Sequence, residues 1–345
     1  MKNSIKKIAF AYEFIHPKAI SDELKCMGSY GIDMSGFNLH EYFSNWSFSQ
    51  FEFLYAQKNK ELYQAVDRLK RDLVDFDTII IYSTRYLTPR LVFENLRDKN
   101  IIFWATDDPV SSTVSTAPYL LVSDLVLTQT PLLDDSRSHP DFLTELSGVP
   151  SMYHQLGYMQ GWLDGISEER IIQGKRHIDI SFVGSPAWRK DLLLSCKKVF
   201  GKRLKIYSRD WSFLRHMYYD FIKNGVFHYV PKAINESEIY TNSKLSLNIS
   251  ALGGPSQSRT WHIPICGATQ LCDHEIGLKN IFTEENTVVP YQYMDESDLI
   301  TKIDWLLSNE KAAREIGVNG YFYTKNNLRF SKLLAEKINV LQKKY

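Results

Sequence analysis

Cysteine is scarce in this sequence, and so are most features that would commit it to a special environment. The four cysteines, Cys26, Cys196, Cys266 and Cys272, stand singly in apolar surroundings, with neither metal-site spacing nor the density of a disulfide framework. A reducing, cytoplasmic setting is expected. No window approaches the ~20 apolar residues of a membrane span, and the opening MKNSIKK-IAFAYEF lacks the apolar stretch of a signal peptide. A soluble protein is expected, with peripheral membrane contact left open. Charge of one sign is also missing. Forty-one basic against forty acidic residues create no overall field for nucleic acid or an anionic membrane, so nucleic acid is not an expected partner. The local cluster Lys197, Lys198, Lys202, Arg203 and Lys205 reads as a solvated helix face. Internal repeats, low-complexity tracts, a G-x-x-x-x-G-K-[ST] loop, a G-x-S-x-G elbow and a D-x-D metal motif are all absent, so neither a P-loop nor metal dependence is expected.

What is present is alternation. The chain, 345 residues long, has room for two ordinary domains. Short apolar runs at residues 6–14, 77–82 (DTIIIY), 100–106 (NIIFWAT) and 125–130 read as strands buried on both faces, with helical spacing between them at 61–74 and 89–98. Residues 157–175, with four glycines among polar residues, read as a connector. A second set follows: strands at 179–183 (DISFV), 204–207, 226–230, 244–249 (KLSLNI) and 268–272, and helices at 188–200, 236–242, 297–307 and from 330 to the end. Ser185 and Pro186 read as cap and first residue of the helix containing Trp188, and Gly201 as its stop. Alternating strands and helices imply two doubly wound α/β domains, with ligands gathered at the carboxyl ends of the strands.

The rest is organised around residues 253–267, GGPSQSRTWHIPICG. Gly253 and Gly254 after a strand let backbone amides approach a ligand, and Arg259 supplies a cation suited to phosphate. On these residues alone a nucleoside diphosphate site and a tight turn with an exposed arginine are both open. Gly184 and Ser185 present free N–H groups at a helix start, with Arg189 one turn in, which is again either a phosphate contact or a surface ion pair.

Taken in order, ISFVGS with Arg189, IYSRDW, GVFHYV, SKLSLN, SRTWHIPICG and the closing region 312–341 resemble the CgeB-like (spore-maturation-protein-like) glycosyltransferases. The resemblance covers residues 100–340 and is strongest from 178. It implies the GT-B architecture: two facing Rossmann-like domains with a cleft between them. It places an N-terminal, acceptor-side domain at 1–158, a linker at 159–175, a nucleotide-sugar-binding domain at 176–326, and a last helix at 327–345 that packs back toward the first domain. It further implies a glycosyltransferase whose donor is a nucleotide sugar of the UDP type, with no cofactor and an unidentified hydroxyl acceptor. Tyr207, Tyr229 and Val230 would lie along the base-binding groove, near Trp211. The pattern departs from the E-x7-E motif of retaining relatives, because His262 and Gly254 stand where the glutamates would be. His262 can still bond a ribose hydroxyl, but retaining stereochemistry does not carry over.

A proton acceptor for the incoming hydroxyl is expected from the first domain. Asp107 and Asp108, before Pro109, and His16, after the first strand, are the candidates, with Glu13 beside them. Asp107 and Asp108 also suit a turn. A carboxylate base would make the reaction a direct displacement with inversion. Two other readings fit the sequence: a non-catalytic nucleotide-sugar-binding or scaffold protein on a degenerate GT-B fold, and a phage-type glucosyltransferase acting on modified DNA bases.

Overall fold

The structure, a computed structural model, describes residues 5–13, 17–82, 86–106, 116–132, 137–186, 189–208, 227–229, 235–250, 257–273, 278–283 and 286–344. The chain divides into two compact units, one comprising Met1–Gly161 with Phe330–Tyr345 and the other Trp162–Arg329.

The first unit is built on six parallel strands: β1 (Lys7–Tyr12), β2 (Asp33–Asn38), β3 (Thr78–Tyr82), β4 (Asn100–Ala105), β5 (Leu125–Thr128) and β6 (Ser151–Tyr153), in the order β2-β1-β3-β4-β5-β6. The central strands carry no polar alternation because both faces are covered. Ile79, Ile80, Ile81, Ile101 and Ile102 are fully buried. The helix Lys60–Asp72 starts where Asn59 accepts the Leu62 N–H, and it turns Leu62, Val66 and Leu69 into the core. The closing helix Phe330–Lys344 belongs to this unit, with Phe330 stacked on Trp104 and edge-on to Phe10. A buried carboxylate fastens both crossings of the chain: Glu23 accepts the N–H groups of Gln160 at 2.8 Å and Ser331 at 3.3 Å.

The second unit holds β7 (Ile178–Val183), β8 (Leu204–Ser208), β9 (Phe227–Tyr229), β10 (Ser243–Asn248), β11 (Thr269–Cys272) and β12 (Val289–Pro290), all parallel, in the order β12-β11-β10-β7-β8-β9. The chain builds outward from β7 on one side, then returns to lay β10 on the other side of β7. The direction of winding therefore reverses between β7 and β10, and it is at such a reversal that loops diverge and leave room for a ligand.

Residues 157–175, which contain the division between the units after Gly161, have structure of their own: Gln160–Leu163 forms a 3-10 turn and Glu168–Gln173 a helix capped by Ser167, with Trp162 and Ile171 buried. Two local expectations change. The helix expected from Trp188 runs from Lys190 to Phe200 with Arg189 as its cap residue, while Arg189 N–H closes a tight turn onto the Pro186 carbonyl. The helix expected at Ser297 starts at Glu296, capped by Asp295, whose carboxylate accepts the Asp298 N–H at 2.9 Å and so outcompetes the serine.

Candidate functional site

The reversal between β7 and β10 is where two of the expected residues meet. β7 ends at Val183 and is followed by Gly184, whose φ of 143° lies in a region that side-chain-bearing residues rarely adopt. A Cβ at this position would stand 2.3 Å from Arg259 Nη1, so the missing side chain is the space the guanidinium occupies. Arg259 opens the helix Arg259–Ile265 and reaches back over the strand ends. Its Nη1 donates to the Val183 carbonyl at 2.9 Å, its Nη2 to the Ile249 carbonyl at 3.1 Å, and its Nε to Asn248 Oδ1 at 3.4 Å.

Arg189 arrives from the other side. Its Nε donates to the same Ile249 carbonyl at 2.6 Å, its Nη1 to the Ser185 carbonyl at 3.1 Å and its Nη2 to Gln257 Oε1 at 3.3 Å, and Gln257 Oε1 also accepts from Arg259 Nη2. The Phe182 ring underlies both, 5.2 Å from the Arg259 guanidinium carbon and 6.0 Å from that of Arg189. Arg189 is buried. Burial, and then the neighbouring Arg259 charge, push its pKa down to about 10. These hydrogen bonds end on carbonyl and amide oxygens and hold the two guanidiniums in place. Two guanidiniums thus stand side by side at the carboxyl ends of parallel strands, where they give this end of the sheet a local positive charge.

The other expected residues are placed as follows. Ser185 contributes its carbonyl to Arg189. Tyr207, at the end of β8, accepts the Gly184 N–H on its carbonyl at 2.9 Å, and partial burial raises its phenol pKa. Tyr229 is the last residue of β9, next to β8 in the sheet. His262 lies inside the unit, its Nε2 2.7 Å from Ser237 Oγ and its ring stacked on Trp162 at 4.4 Å and edge-on to Tyr240. Gly253, Gly254, Val230, Trp211, Asp107, Asp108 and His16 lie outside the described residues. Glu13, just past β1, has a side chain only 6% exposed, with His40 Nε2 3.4 Å from its carboxylate. Sequence reasoning did not single out Phe182, Asn248 or Gln257 as site residues. Phe182 and Asn248 read there simply as strand residues, and Gln257 as part of the glycine stretch.

Among the described residues no helix is long and apolar enough to cross a membrane, and no group of His, Cys, Asp and Glu is placed to hold a metal ion.

Comparison with known proteins agrees with this topology. Residues 175–332 match the family described as glycosyl transferase-like. No curated protein matches the sequence significantly. Among solved structures, Alr3699/HepE of Anabaena in complex with UDP and glucose superposes with a TM-score of 0.66 at 9% identity, covering 98% of this chain and 100% of that one. The sucrose-phosphate synthase tll1590 of Thermosynechococcus elongatus gives 0.65 at 12% identity, covering 98% of each. WaaG, a glycosyltransferase involved in lipopolysaccharide biosynthesis, gives 0.60 at 10%, covering 96% and 99%. At such identities the likeness is one of fold. The chain has two parallel-sheet α/β domains of the GT-B glycosyltransferase fold, and the stretch similar to the glycosyl transferase-like family falls mostly within its second unit.

Proposed function

We propose that the protein is a glycosyltransferase that moves a sugar from a nucleoside diphosphate donor of the UDP type to a hydroxyl acceptor, without a metal ion or other cofactor. The observation that carries this reading is the convergence of Arg189 and Arg259 on one carbonyl at the reversal of the second sheet. Breaking the bond between sugar and diphosphate places negative charge on the departing phosphate. Cations already fixed before the reaction stabilise that charge with no reorganisation. Arg189 and Arg259 would hold the diphosphate, with the backbone at Ser185, Gly253 and Gly254 beside it; the Gly184 N–H, expected to be free, is instead taken by the Tyr207 carbonyl at 2.9 Å, and Gly184 serves by making room for Arg259. Tyr207, Tyr229 and Val230 would flank the base. The HepE structures, with UDP and with UDP-glucose, are of the same fold and support a uridine donor.

The acceptor proton would pass to Asp108, Asp107 or His16, giving direct displacement with inversion. Assignment to the CgeB-like group and to the cytoplasm is part of the same proposal.

A thermal-shift panel of nucleoside diphosphates and nucleotide sugars tests it, because a ligand that binds only the folded state raises the unfolding midpoint. A selective rise with UDP or a UDP-sugar is the expected result. No rise with any nucleoside diphosphate overturns the reading.

A further inference from the structure

The opposite edge of the second sheet, at the amino ends of its strands, encloses a cavity of about 320 Å³. Arg176 lies two residues before β7, Leu245 near the start of β10, and Thr269 is the first residue of β11, so this cavity is distinct from the site at the carboxyl ends. Its walls are of two kinds. Leu245, Leu306, Leu307 and Ala313, all buried, form an apolar chamber, while the guanidiniums of Arg176 and Arg314, with Lys175 and Lys244, add positive charge.

Arg176 is unusual in being only 8% exposed. Its Nη1 donates to the Ser243 carbonyl at 2.7 Å and its Nη2 to the Ile171 carbonyl at 3.0 Å, yet its buried Nε has no hydrogen-bond partner among the described residues. Arg314 Nη2 also reaches the Ile171 carbonyl, at 3.4 Å, so the two like charges lean on one oxygen. Burial and this neighbour push the Arg176 pKa down to about 9. The one carboxylate on the wall does not relieve them, because Glu310 is held by Lys244 at 2.7 Å. Among the described residues neither Arg176 nor Arg314 has a carboxylate partner. The approach of Arg176 is built into the backbone: Gly267 has φ of +72°, and a Cβ there would meet Arg176 Nη2 at 2.8 Å.

Two guanidiniums with no carboxylate partner among the described residues, beside an apolar chamber, describe the complement of an amphiphilic anion. We propose that this cavity binds a small organic anion with an apolar body and a single carboxylate or phosphate head, the head set between Arg176 and Arg314 and the body against Leu245, Leu306 and Leu307. The helix Arg259–Ile265 runs between the two sites. Arg259 opens it at the carboxyl-end site, and the carbonyl of Cys266 at its other end accepts from Arg176 Nη2 at 3.5 Å.

Calorimetric titration of the full chain with hexyl phosphate, hexanoate, hexanol and inorganic phosphate tests this. Saturable binding of hexyl phosphate or hexanoate is expected, at least tenfold tighter than hexanol or inorganic phosphate. Because Arg176 supports several carbonyls, its replacement risks the fold. Arg314→Gln, at a partly exposed position, is the informative variant and is expected to weaken binding of the organic anion at least tenfold. Absence of saturable binding by both organic anions, equal binding of hexanol or inorganic phosphate, or an affinity unchanged in Arg314→Gln overturns the proposal. Phosphate probes can also reach Arg189 and Arg259, so the comparison of hexanoate with hexanol and the loss in Arg314→Gln, which leaves both of those residues in place, are what separate this cavity from the nucleotide site.

Discussion

Arg189 and Arg259 donate to one oxygen, the carbonyl of Ile249, from 2.6 and 3.1 Å. Residues 70 positions apart in sequence are thereby fixed against each other at the point where the second sheet reverses its winding. The arrangement makes their effects non-additive. Arg189→Ala leaves the Ser185 carbonyl and a share of Ile249 without a donor, so it is expected to lower stability by ~1–3 kcal/mol as well as weaken nucleoside diphosphate binding. In a double-mutant cycle with Arg259→Ala, read by calorimetry, the loss of binding energy in the double variant should differ from the sum of the two single losses by more than ~0.5 kcal/mol. Additivity within that margin would mean the two cations act separately.

Gly184→Ala tests the same geometry from the backbone. The added methyl would occupy the place of Arg259 Nη1 and would also strain a φ of 143°. The variant should keep its circular dichroism spectrum and lose nucleoside diphosphate affinity by tenfold or more, with a stability cost of ~1–3 kcal/mol from the strained residue. Unchanged affinity would show that Arg259 can shift without consequence.

The first unit makes a pH prediction. His154 is buried against Trp104 at 4.5 Å, its Nε2 without a hydrogen-bond partner among the described residues, and burial followed by the charge of Lys337 lowers its pKa to about 3. The unfolded chain takes up this proton near pH ~6.5, whereas the folded one does not until about 3. Folding stability due to this residue is therefore full above pH ~6.5 and declines as pH falls toward 3, at up to ~1.4 kcal/mol per pH unit. Urea unfolding at pH 7, 6 and 5 should show a shallower loss in His154→Gln than in the unaltered protein. Equal slopes would contradict the assignment.

Much of the fold was legible because parallel strands leave a strong mark. DTIIIY and NIIFWAT have no polar alternation, and both prove to be central strands. Asp33–Asn38 escaped notice because it is an edge strand with only partial burial, so DMSGFN carries no apolar run. In the glycine-rich run at 157–175 the short helix Glu168–Gln173 was not legible, because the glycines around it dominate the pattern while Trp162 and Ile171 are committed to packing. At the site, Arg189 and Arg259 were legible as cations near glycines. Their shared acceptors, Ile249 and Gln257, were not, since a carbonyl oxygen has no sequence signature. The cavity around Arg176 was invisible for a related reason: Arg314 lies in another helix, and only the fold brings it to Ile171.

His262 can be separated from the cations. Its partners are Ser237, Trp162 and Tyr240, all in the same unit, and it is buried. His262→Ala should cost ~1–3 kcal/mol of stability through the lost hydrogen bond and ring packing, with nucleoside diphosphate affinity changed less than threefold. Loss of affinity at unchanged stability would instead mark His262 as a ribose contact.

The most direct measurement is calorimetric titration of UDP into the unaltered protein and into Arg259→Ala. Saturable binding in the first, weaker by ~1.5–3 kcal/mol in the second, is the predicted result. Binding of equal strength in both would remove Arg259 from the donor site, and no binding of UDP or any other nucleoside diphosphate to the unaltered protein would contradict a glycosyl donor site at the end of β7.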